Sequence, residues 1–187
     1  MQKPTGLDRL SVAKAEQFNR QVWHTTRSFR WKDSTRATVT SICAPSLVTG
    51  SNASPGSAGD TDARTITFRY AITPEDVNAD GIMDEAGLSR LNDDLSTAAI
   101  LWFDDCDKLH PGVSTSMTVH LKRFPRVGTA IDLVCSVLGY DGPLVYTRTE
   151  IAQVDPSTSA ATLQRRDMLG VLTHTKFVTE KVARSHL

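Results

Sequence analysis

The sequence has no excess of charge of either sign, few aromatic residues and only three cysteines. Its 187 residues include 21 Lys or Arg and 21 Asp or Glu, and 6% of them are aromatic. Balanced charge does not predict a nucleic-acid partner, and an apolar content of 40% is ordinary for a globular protein. Cys43, Cys106 and Cys135 are far apart, with no CxxC pair, so the spacing predicts neither a zinc site nor a disulfide framework. We therefore expect no bound metal and a reducing compartment.

Long apolar runs and one common hydrolase motif are also absent from the sequence. No run approaches the ~20 apolar residues that cross a bilayer, so we expect no membrane span. The sequence G-x-S-x-G, which presents the nucleophilic serine in a large class of hydrolases, does not occur. Because no secretory signal is recognisable, the protein is expected in the cytoplasm or in mitochondria.

Residues 1–35 form a predicted basic N-terminal extension. The segment Met1–Arg36 contains eight Lys or Arg residues against Asp8, Glu16 and Asp33. This bias is compatible with a mitochondrial presequence, although presequences tend to avoid acidic residues. We prefer an amphipathic helix, because several apolar residues fall on one helical face, namely Leu7, Leu10, Ala15, Phe18 and Val22.

The rest of the chain contains six strand patterns and one long helical pattern. Runs rich in β-branched residues predict strands over residues 36–44, 63–72, 113–123, 130–139, 144–154 and 168–179. Apolar residues recur at three- and four-residue steps between residues 84 and 103, which predicts a helix. Residues 45–62, rich in Ser, Gly, Asn and Pro, predict a flexible loop, and residues 181–187 a C-terminal tail. The order indicates an α+β domain over residues 36–180, with one antiparallel sheet and one central helix.

Four short stretches of this domain match a known family. They are Asp93-Asp-Leu-Ser-Thr-Ala-Ala-Ile-Leu101, Pro111-Gly-Val-Ser-Thr-Ser-Met117, Leu121-Lys-Arg-Phe-Pro-Arg-Val-Gly128, and the last strand from Gly170 to Val178. Together they resemble the PaaI-like and small animal acyl-CoA thioesterases of the hotdog superfamily. The resemblance implies a sheet wrapped around one long helix, and self-association as a dimer or tetramer.

The same resemblance implies a thioesterase site. Asp93 falls on the family's catalytic carboxylate, Ser114 on the residue that helps to place the attacking water, and Asn78 on an asparagine before the helix. Where the family has His-Gly-Gly, this chain has Asp84-Glu-Ala86, so the backbone N–H groups of Glu85 and Ala86 would stabilise the oxyanion beside a carboxylate. The implied substrate is an acyl-CoA, hydrolysed to a fatty acid and coenzyme A without a separate cofactor.

A basic cluster, Lys122, Arg123 and Arg126, follows the third predicted strand. Such side chains suit the phosphates of coenzyme A through charge-assisted hydrogen bonds. A solvated strand edge explains them equally well, because Lys commonly blunts exposed sheet edges.

Periodicity and capping rules suggest plainer roles for some of these residues. Asp84 precedes an apolar helical run and is a favoured N-cap. On a helical wheel, Asp93 lies opposite the apolar face, which predicts that the Asp93 side chain is solvated. Asp94 lies at the flank of that apolar face. The three histidines of the domain are predicted to be polar surface or strand-face residues rather than bases, namely His110, His120 and His174.

Two further function classes therefore remain open. The loop Asp76–Asp84 matches the first part of a calcium-binding loop, but position twelve, which should supply a carboxylate, is Gly87. The altered helix start also suits a hotdog protein that has lost catalysis and serves as an acyl-CoA-binding or assembly module.

Overall fold

The computed structural model describes residues 12–17, 36–43, 64–104, 110–154 and 167–179. Residues 12–17 are helical, and a 3-10 helix spans Pro74–Asp76. The main elements are β1 (Thr38–Cys43), β2 (Arg64–Ala71), a central helix (Glu85–Phe103), β3 (Val113–Leu121), β4 (Ala130–Asp141), β5 (Leu144–Val154) and β6 (Asp167–Phe177). This order confirms the predicted α+β fold class.

Some predictions fall outside these ranges. The structure does not describe most of the N-terminal extension, the whole loop at 45–62, Cys106 or the tail at 181–187. The division of the chain into an extension, a domain and a tail stays a prediction. Within the described ranges, no helix is long and apolar enough to cross a membrane.

The strands form one antiparallel sheet in the order β1-β2-β4-β5-β6-β3. β3 lies at one edge and pairs with β6 alone among the described strands. Gly170 of β6 pairs with Leu121, and a Cβ added there would collide with the carbonyl oxygen of His120. Only glycine fits this close approach, so β6 can hold the edge strand tightly at this end.

The central helix packs across one face of the sheet because its apolar residues recur at helical spacing. Leu88, Leu91, Leu95 and Trp102 are buried, as their spacing predicts. On β2, the alternating residues Ile66, Phe68 and Tyr70 are buried against the same core. The helix thereby brings its third turn, which begins at Asp93, over the β6 and β3 side of the sheet.

The middle of the sheet also contains buried polar groups. Arg69 of β2 donates two hydrogen bonds to Asp132 of β4, at 2.9 and 3.1 Å. The thiol of Cys135 is fully buried and accepts a hydrogen bond from Thr149 Oγ1 at 3.4 Å. Burial raises the pKa of the Cys135 thiol to about 12, so this cysteine is a core residue that stays protonated.

Candidate functional site

Asp93 lies at the centre of a polar cluster between the central helix, β3 and β6. Its Oδ1 atom accepts a hydrogen bond from Ser114 Oγ at 2.7 Å and one from Lys176 Nζ at 2.9 Å. The Nε2 atom of His174 is 3.4 Å from the same oxygen. Two of the predicted site residues, Asp93 and Ser114, therefore meet within one chain, together with two residues that were not predicted for the site.

The interpretation of Asp93 as a solvated residue on the outer helix face holds only in part. Its side chain is 34% exposed, because β3 and β6 cover part of the helix face opposite the apolar stripe. Asp94, placed at the flank of that stripe, is buried. The helical wheel alone does not show the partial cover of Asp93, because the sheet curves around more of the helix than the apolar residues indicate.

Lys176 is a buried cation, with a side chain that is 5% exposed. Besides Asp93, its Nζ contacts Thr97 Oγ1 at 2.7 Å and Ser114 Oγ at 3.4 Å. Thr97 in turn donates its hydroxyl to the backbone oxygen of Asp93 at 2.5 Å. The ammonium therefore has an oxygen acceptor for each of its three protons, which is what a buried charge requires.

His174 is buried beside the same carboxylate. It lies on a strand face, as predicted, but not at the protein surface. Its Nδ1 is 2.8 Å from Ser96 Oγ, while Nε2 has no hydrogen-bond partner in the described structure. The 3.4 Å approach of Nε2 to Asp93 is thus an electrostatic contact rather than a hydrogen bond. A lone pair on Nε2 would repel the carboxylate, which favours the tautomer with the proton on Nε2 and Nδ1 accepting from Ser96.

The charges of this cluster set the protonation of its members. Burial opposes ionisation of Asp93, but the Lys176 ammonium, the Ser114 hydroxyl and His174 outweigh it and lower the pKa of Asp93 below its usual value. Burial and the Lys176 charge lower the pKa of His174 to about 4, against the opposing effect of Asp93. At neutral pH Asp93 is therefore a carboxylate and His174 a neutral imidazole.

These shifts also make folding depend on pH. Because the pKa of Asp93 is lower in the folded chain, its ionised form stabilises the fold above the unfolded pKa, and this contribution is lost as the pH falls through the folded value. His174 has the same sign: the unfolded chain takes up its proton first, so stability falls as the pH decreases from the ordinary histidine value towards about 4.

Asn78 lies in the loop before the central helix and not beside Asp93 of its own chain. Its Oδ1 accepts hydrogen bonds from the backbone N–H groups of Asp80, at 3.0 Å, and Ile82, at 3.3 Å. Gly81 has a φ of 71°, which favours glycine at this turn. Because the oxygen of the Asn78 amide is fixed by its own turn, the NH₂ group is the part of the side chain that remains for a ligand.

The resemblance of this loop to a calcium site has a structural explanation. Both carboxylate oxygens of Asp76 are hydrogen-bonded, one to Tyr70 and Arg36 and the other to the backbone and hydroxyl of Thr73. Asp76 and Asn78 therefore order the turn themselves. Among the described residues, no group of three or more His, Cys, Asp or Glu side chains is arranged to hold a metal ion.

The start of the central helix has a conventional cap. Asp84 Oδ1 accepts the N–H of Gly87 at 2.9 Å, which confirms the predicted N-cap. Glu85 and Ala86 follow as the first helical residues, and both are exposed. Their N–H groups lie in the first turn, where helix amides have no intrahelical acceptor. Two carboxylates, Asp84 and Glu85, thus adjoin the amides that were predicted to stabilise an oxyanion.

The basic cluster lies around the end of β3. Lys122 lines a groove of about 480 Å³ together with Glu85, His120, Phe124 and residues of β6. Arg123 instead forms an exposed ion pair with Asp167, and Arg126 is exposed after the strand. The predicted cluster therefore divides: Lys122 is in the groove beside the helix start, whereas Arg123 already has an anionic partner.

Solved structures of other proteins share this architecture. The zebra fish thioesterase superfamily member 2 aligns with a TM-score of 0.61 and 17% identity, over 89% of this chain and 97% of that chain. The Escherichia coli PaaI protein of the phenylacetic acid degradation operon aligns with a TM-score of 0.55 and 10% identity, over 92% and 100%. A Streptococcus mutans protein bound to acetyl CoA gives 0.55 and 11%, over 86% and 98%. The chain has the hotdog fold.

Sequence comparison adds no closer relative to this result. No family model matches the chain, and no curated protein matches it by sequence. At identities of 17% and below, the structural likeness to these proteins establishes the hotdog fold and not a shared activity.

The sequence alone does not indicate which face of β6 is buried. The face opposite His174 and Lys176 is at least as apolar, with Val171, Thr173, Thr175 and Phe177. The structure shows that His174 and Lys176 are buried, in step with Leu172 and Val178 on the face that meets the helix. A buried Lys needs an anionic partner, and Asp93 supplies it from 83 residues away in the chain.

Proposed function

We propose that this hotdog protein hydrolyses acyl-CoA thioesters to a free fatty acid and coenzyme A, at a site completed by a second copy of the chain. The observation that carries the proposal is the Asp93 carboxylate, which is held by Ser114 and Lys176 and remains partly open to solvent. The similar structures of thioesterase superfamily member 2 and of a Streptococcus mutans protein bound to acetyl CoA support the same substrate class.

The chemistry assigns separate roles to Asp93 and Ser114. Asp93 removes a proton from water as the water oxygen bonds to the thioester carbon, or its carboxylate attacks that carbon directly. In either route the carbon–sulfur bond breaks and coenzyme A leaves as a thiolate. In the first route the thiolate takes up the proton that Asp93 removed from water. In the second, water hydrolyses the anhydride between the acyl group and Asp93, which releases the fatty acid and the proton that the thiolate takes up. Ser114 holds the attacking water in place through the hydroxyl that also binds Asp93. General-base assistance of this kind contributes roughly 10²–10⁴-fold to rate.

A second copy is needed because one chain separates the required groups. The amides of Glu85 and Ala86 lie seven to eight residues before Asp93 on the same helix, a distance of about 11–12 Å at the helical rise of ~1.5 Å per residue. A base and an oxyanion donor must both reach one thioester carbonyl, within about 3 Å each. Two copies related by a twofold axis bring the helix start of one beside Asp93 of the other.

The edge strand β3 supports such a pairing. Its outer side has no strand partner among the described residues, and it carries Ser114 near its beginning. An unpaired edge strand is a template for pairing with another chain. We infer that the amide NH₂ of Asn78, the helix start and the groove at Lys122 face the substrate from the second copy, with Arg123 and Arg126 beside the phosphates of coenzyme A.

One observation favours a second candidate function, a hotdog module that binds acyl-CoA or assembles without hydrolysing. The Asp84 carboxylate already accepts a hydrogen bond from the N–H of Gly87, and Glu85 places a second carboxylate next to the remaining first-turn amides. Negative charge there opposes the developing oxyanion. The two functions differ in a single measurable product, the free thiol of coenzyme A.

The test combines an acyl-CoA hydrolysis assay with mixing of two inactive variants. Purified protein is assayed for thiol release over a panel of acyl chain lengths, and its mass in solution is measured by sedimentation. Asp93→Asn and Asn78→Ala are each expected to lose activity. Mixed and allowed to exchange, they should recover about a quarter of the wild-type rate, because half of the randomly formed dimers are mixed and each has one intact site.

The outcomes separate the alternatives. No recovery on mixing would mean that Asn78 and Asp93 act in one chain, and a monomer at micromolar concentration would exclude the shared site. Acyl-CoA binding without thiol release by wild type would support the non-hydrolytic module.

A further inference from the structure

Among the described residues, the hydrogen bonds and ion pairs of the Asp93 carboxylate all involve one of its two oxygens. Ser114 Oγ, Lys176 Nζ and His174 Nε2 all approach Oδ1. Within the described part of the chain, no group forms a hydrogen bond or ion pair with Oδ2. The carboxylate is therefore anchored at one end, and its free end is the one that can meet water or substrate.

Lys176 is the charged group that anchors the Asp93 carboxylate. It approaches from β6, whereas Asp93 and Thr97 belong to the central helix and Ser114 to β3. A single ammonium thus ties the helix to both strands beside it. Its third contact, to Ser114, is the longest at 3.4 Å, which leaves the serine hydroxyl directed at Asp93.

A purely structural role does not account well for a lysine at this position. Desolvation of a buried ion pair offsets much of its attraction, and apolar side chains often replace such pairs with little loss of stability. The neighbours of Lys176 on the inner face of β6 include Leu172 and Val178, so an apolar residue would continue the core there. What an apolar residue would not supply is a fixed positive charge at Oδ1.

We infer that Lys176 is a positioning residue of the proposed reaction, which holds Asp93 through Oδ1 and presents Oδ2 to the thioester or to the attacking water. The inference rests on the proposed function for the reaction itself, but the anchoring of the carboxylate can be measured without it.

Among the described residues, the polar groups around Asp93 come from β6, β3 and the helix itself. β6 contributes Lys176 and the neutral His174, whereas β3 contributes only the Ser114 hydroxyl. The helix itself adds Asp94, which is buried, and Arg90 one turn earlier, which is exposed. Lys176 is the one cation in direct contact with the carboxylate among these groups, so its removal should make ionisation of Asp93 less favourable.

The experiment compares Lys176→Met, which removes the charge at similar length, with Lys176→Arg, which keeps it. The titration of the Asp93 carboxyl carbon is followed by NMR in substrate-free protein, and the pH dependence of kcat/KM for acyl-CoA hydrolysis is measured on the same samples. Arg148→Met is the matched control, because Arg148 is an exposed cation paired with Glu150 on β5. If the Met variant does not fold, Lys176→Gln takes its place.

We expect Lys176→Met to move the Asp93 titration and the acid limb of kcat/KM to higher pH together. Lys176→Arg should leave the titration close to that of wild type, and Arg148→Met should leave both readouts unchanged. An Asp93 titration that is the same in Lys176→Met and wild type would overturn the inference, as would an acid limb that stays in place while the titration moves. Absence of hydrolysis by wild type would instead reject the proposed function, whatever the titration shows.

Discussion

The start of the central helix and its third turn both carry carboxylates, but in opposite surroundings. Asp84 and Glu85 are exposed at the start, where Asp84 is hydrogen-bonded to a backbone amide of its own helix. Asp93, eight residues after Glu85, contacts a cation, a hydroxyl and an imidazole from two strands. The first arrangement stabilises a helix locally, whereas the second joins three elements around one oxygen atom.

The difference shows why residue type alone did not separate structural from functional carboxylates. An N-cap is specified by four consecutive residues and can be predicted from the sequence. A carboxylate held by a distant lysine depends on the register of β6 against the helix. An aspartate whose partners are local, such as Asp84, thus caps the helix. An aspartate whose partners are distant and buried, such as Asp93, has a candidate chemical role.

The largest effect should come from the third turn. Asp93→Asn removes the proposed base with little change in shape, so acyl-CoA turnover should fall at least about a hundredfold. Asp94→Asn is not a suitable control, because Asp94 is buried. Asp141→Asn, at the exposed last residue of β4, removes the same charge from a residue outside the Asp93 cluster and should leave kcat/KM unchanged. Equal, small losses from both variants in folded protein would contradict the proposed role of Asp93.

A smaller effect of opposite sign is expected at the helix start. Glu85→Gln removes a negative charge beside the proposed oxyanion amides, and repulsion at ~4 Å is worth about 1 kcal/mol in water and more when partly desolvated. Turnover should therefore rise roughly three- to tenfold, and Glu85→Gly should act in the same direction. The exposed Glu75 serves as the control, since Glu75→Gln should have no effect. A Glu85→Gln enzyme no faster than wild type would mean that this side chain points away from the substrate.

The smallest effect should be on stability and confined to the cap. Asp84→Ala removes the acceptor for the Gly87 N–H, so the free energy of unfolding should decrease by about 0.5–2 kcal/mol. Urea unfolding measures the change, and Asp80→Ala, in the exposed preceding turn, should leave the midpoint nearly unaltered. An unchanged midpoint for Asp84→Ala would show that water or another group satisfies this amide.

The fold was predictable from the sequence because each strand and the helix have a recognisable local pattern of apolar residues. Alternating Ile66, Phe68 and Tyr70 indicate a strand, and the spacing of Leu88, Leu91 and Leu95 indicates a helix whose apolar face is buried. The ends of the strands were predicted less well. β4 extends to Asp141 and not to residue 139, and β3 ends at Leu121 and not at residue 123. Pairing with neighbouring strands, and not propensity, decides where a strand ends.

The site was predictable only in part. The resemblance of two short motifs named Asp93 and Ser114 as candidate site residues, and the structure brings their side chains to 2.7 Å, a contact that was not predicted. Lys176 and His174 were missed because a lysine and a histidine on a strand usually indicate a solvated face. On β6 the reverse holds, with Lys176 buried and Phe177 exposed, and only the distant carboxylate makes that arrangement favourable.

The buried thiol of Cys135 gives this protein an internal reporter of opening of the sheet. With its pKa raised to about 12, the thiol reacts with a disulfide reagent only when the strands around it separate. In a variant that keeps Cys135 but has Cys43→Ser and Cys106→Ser, the labelling rate would report the free energy of that opening. Slower labelling in the presence of an acyl-CoA, or at higher protein concentration, would then measure ligand binding and self-association without any catalytic turnover.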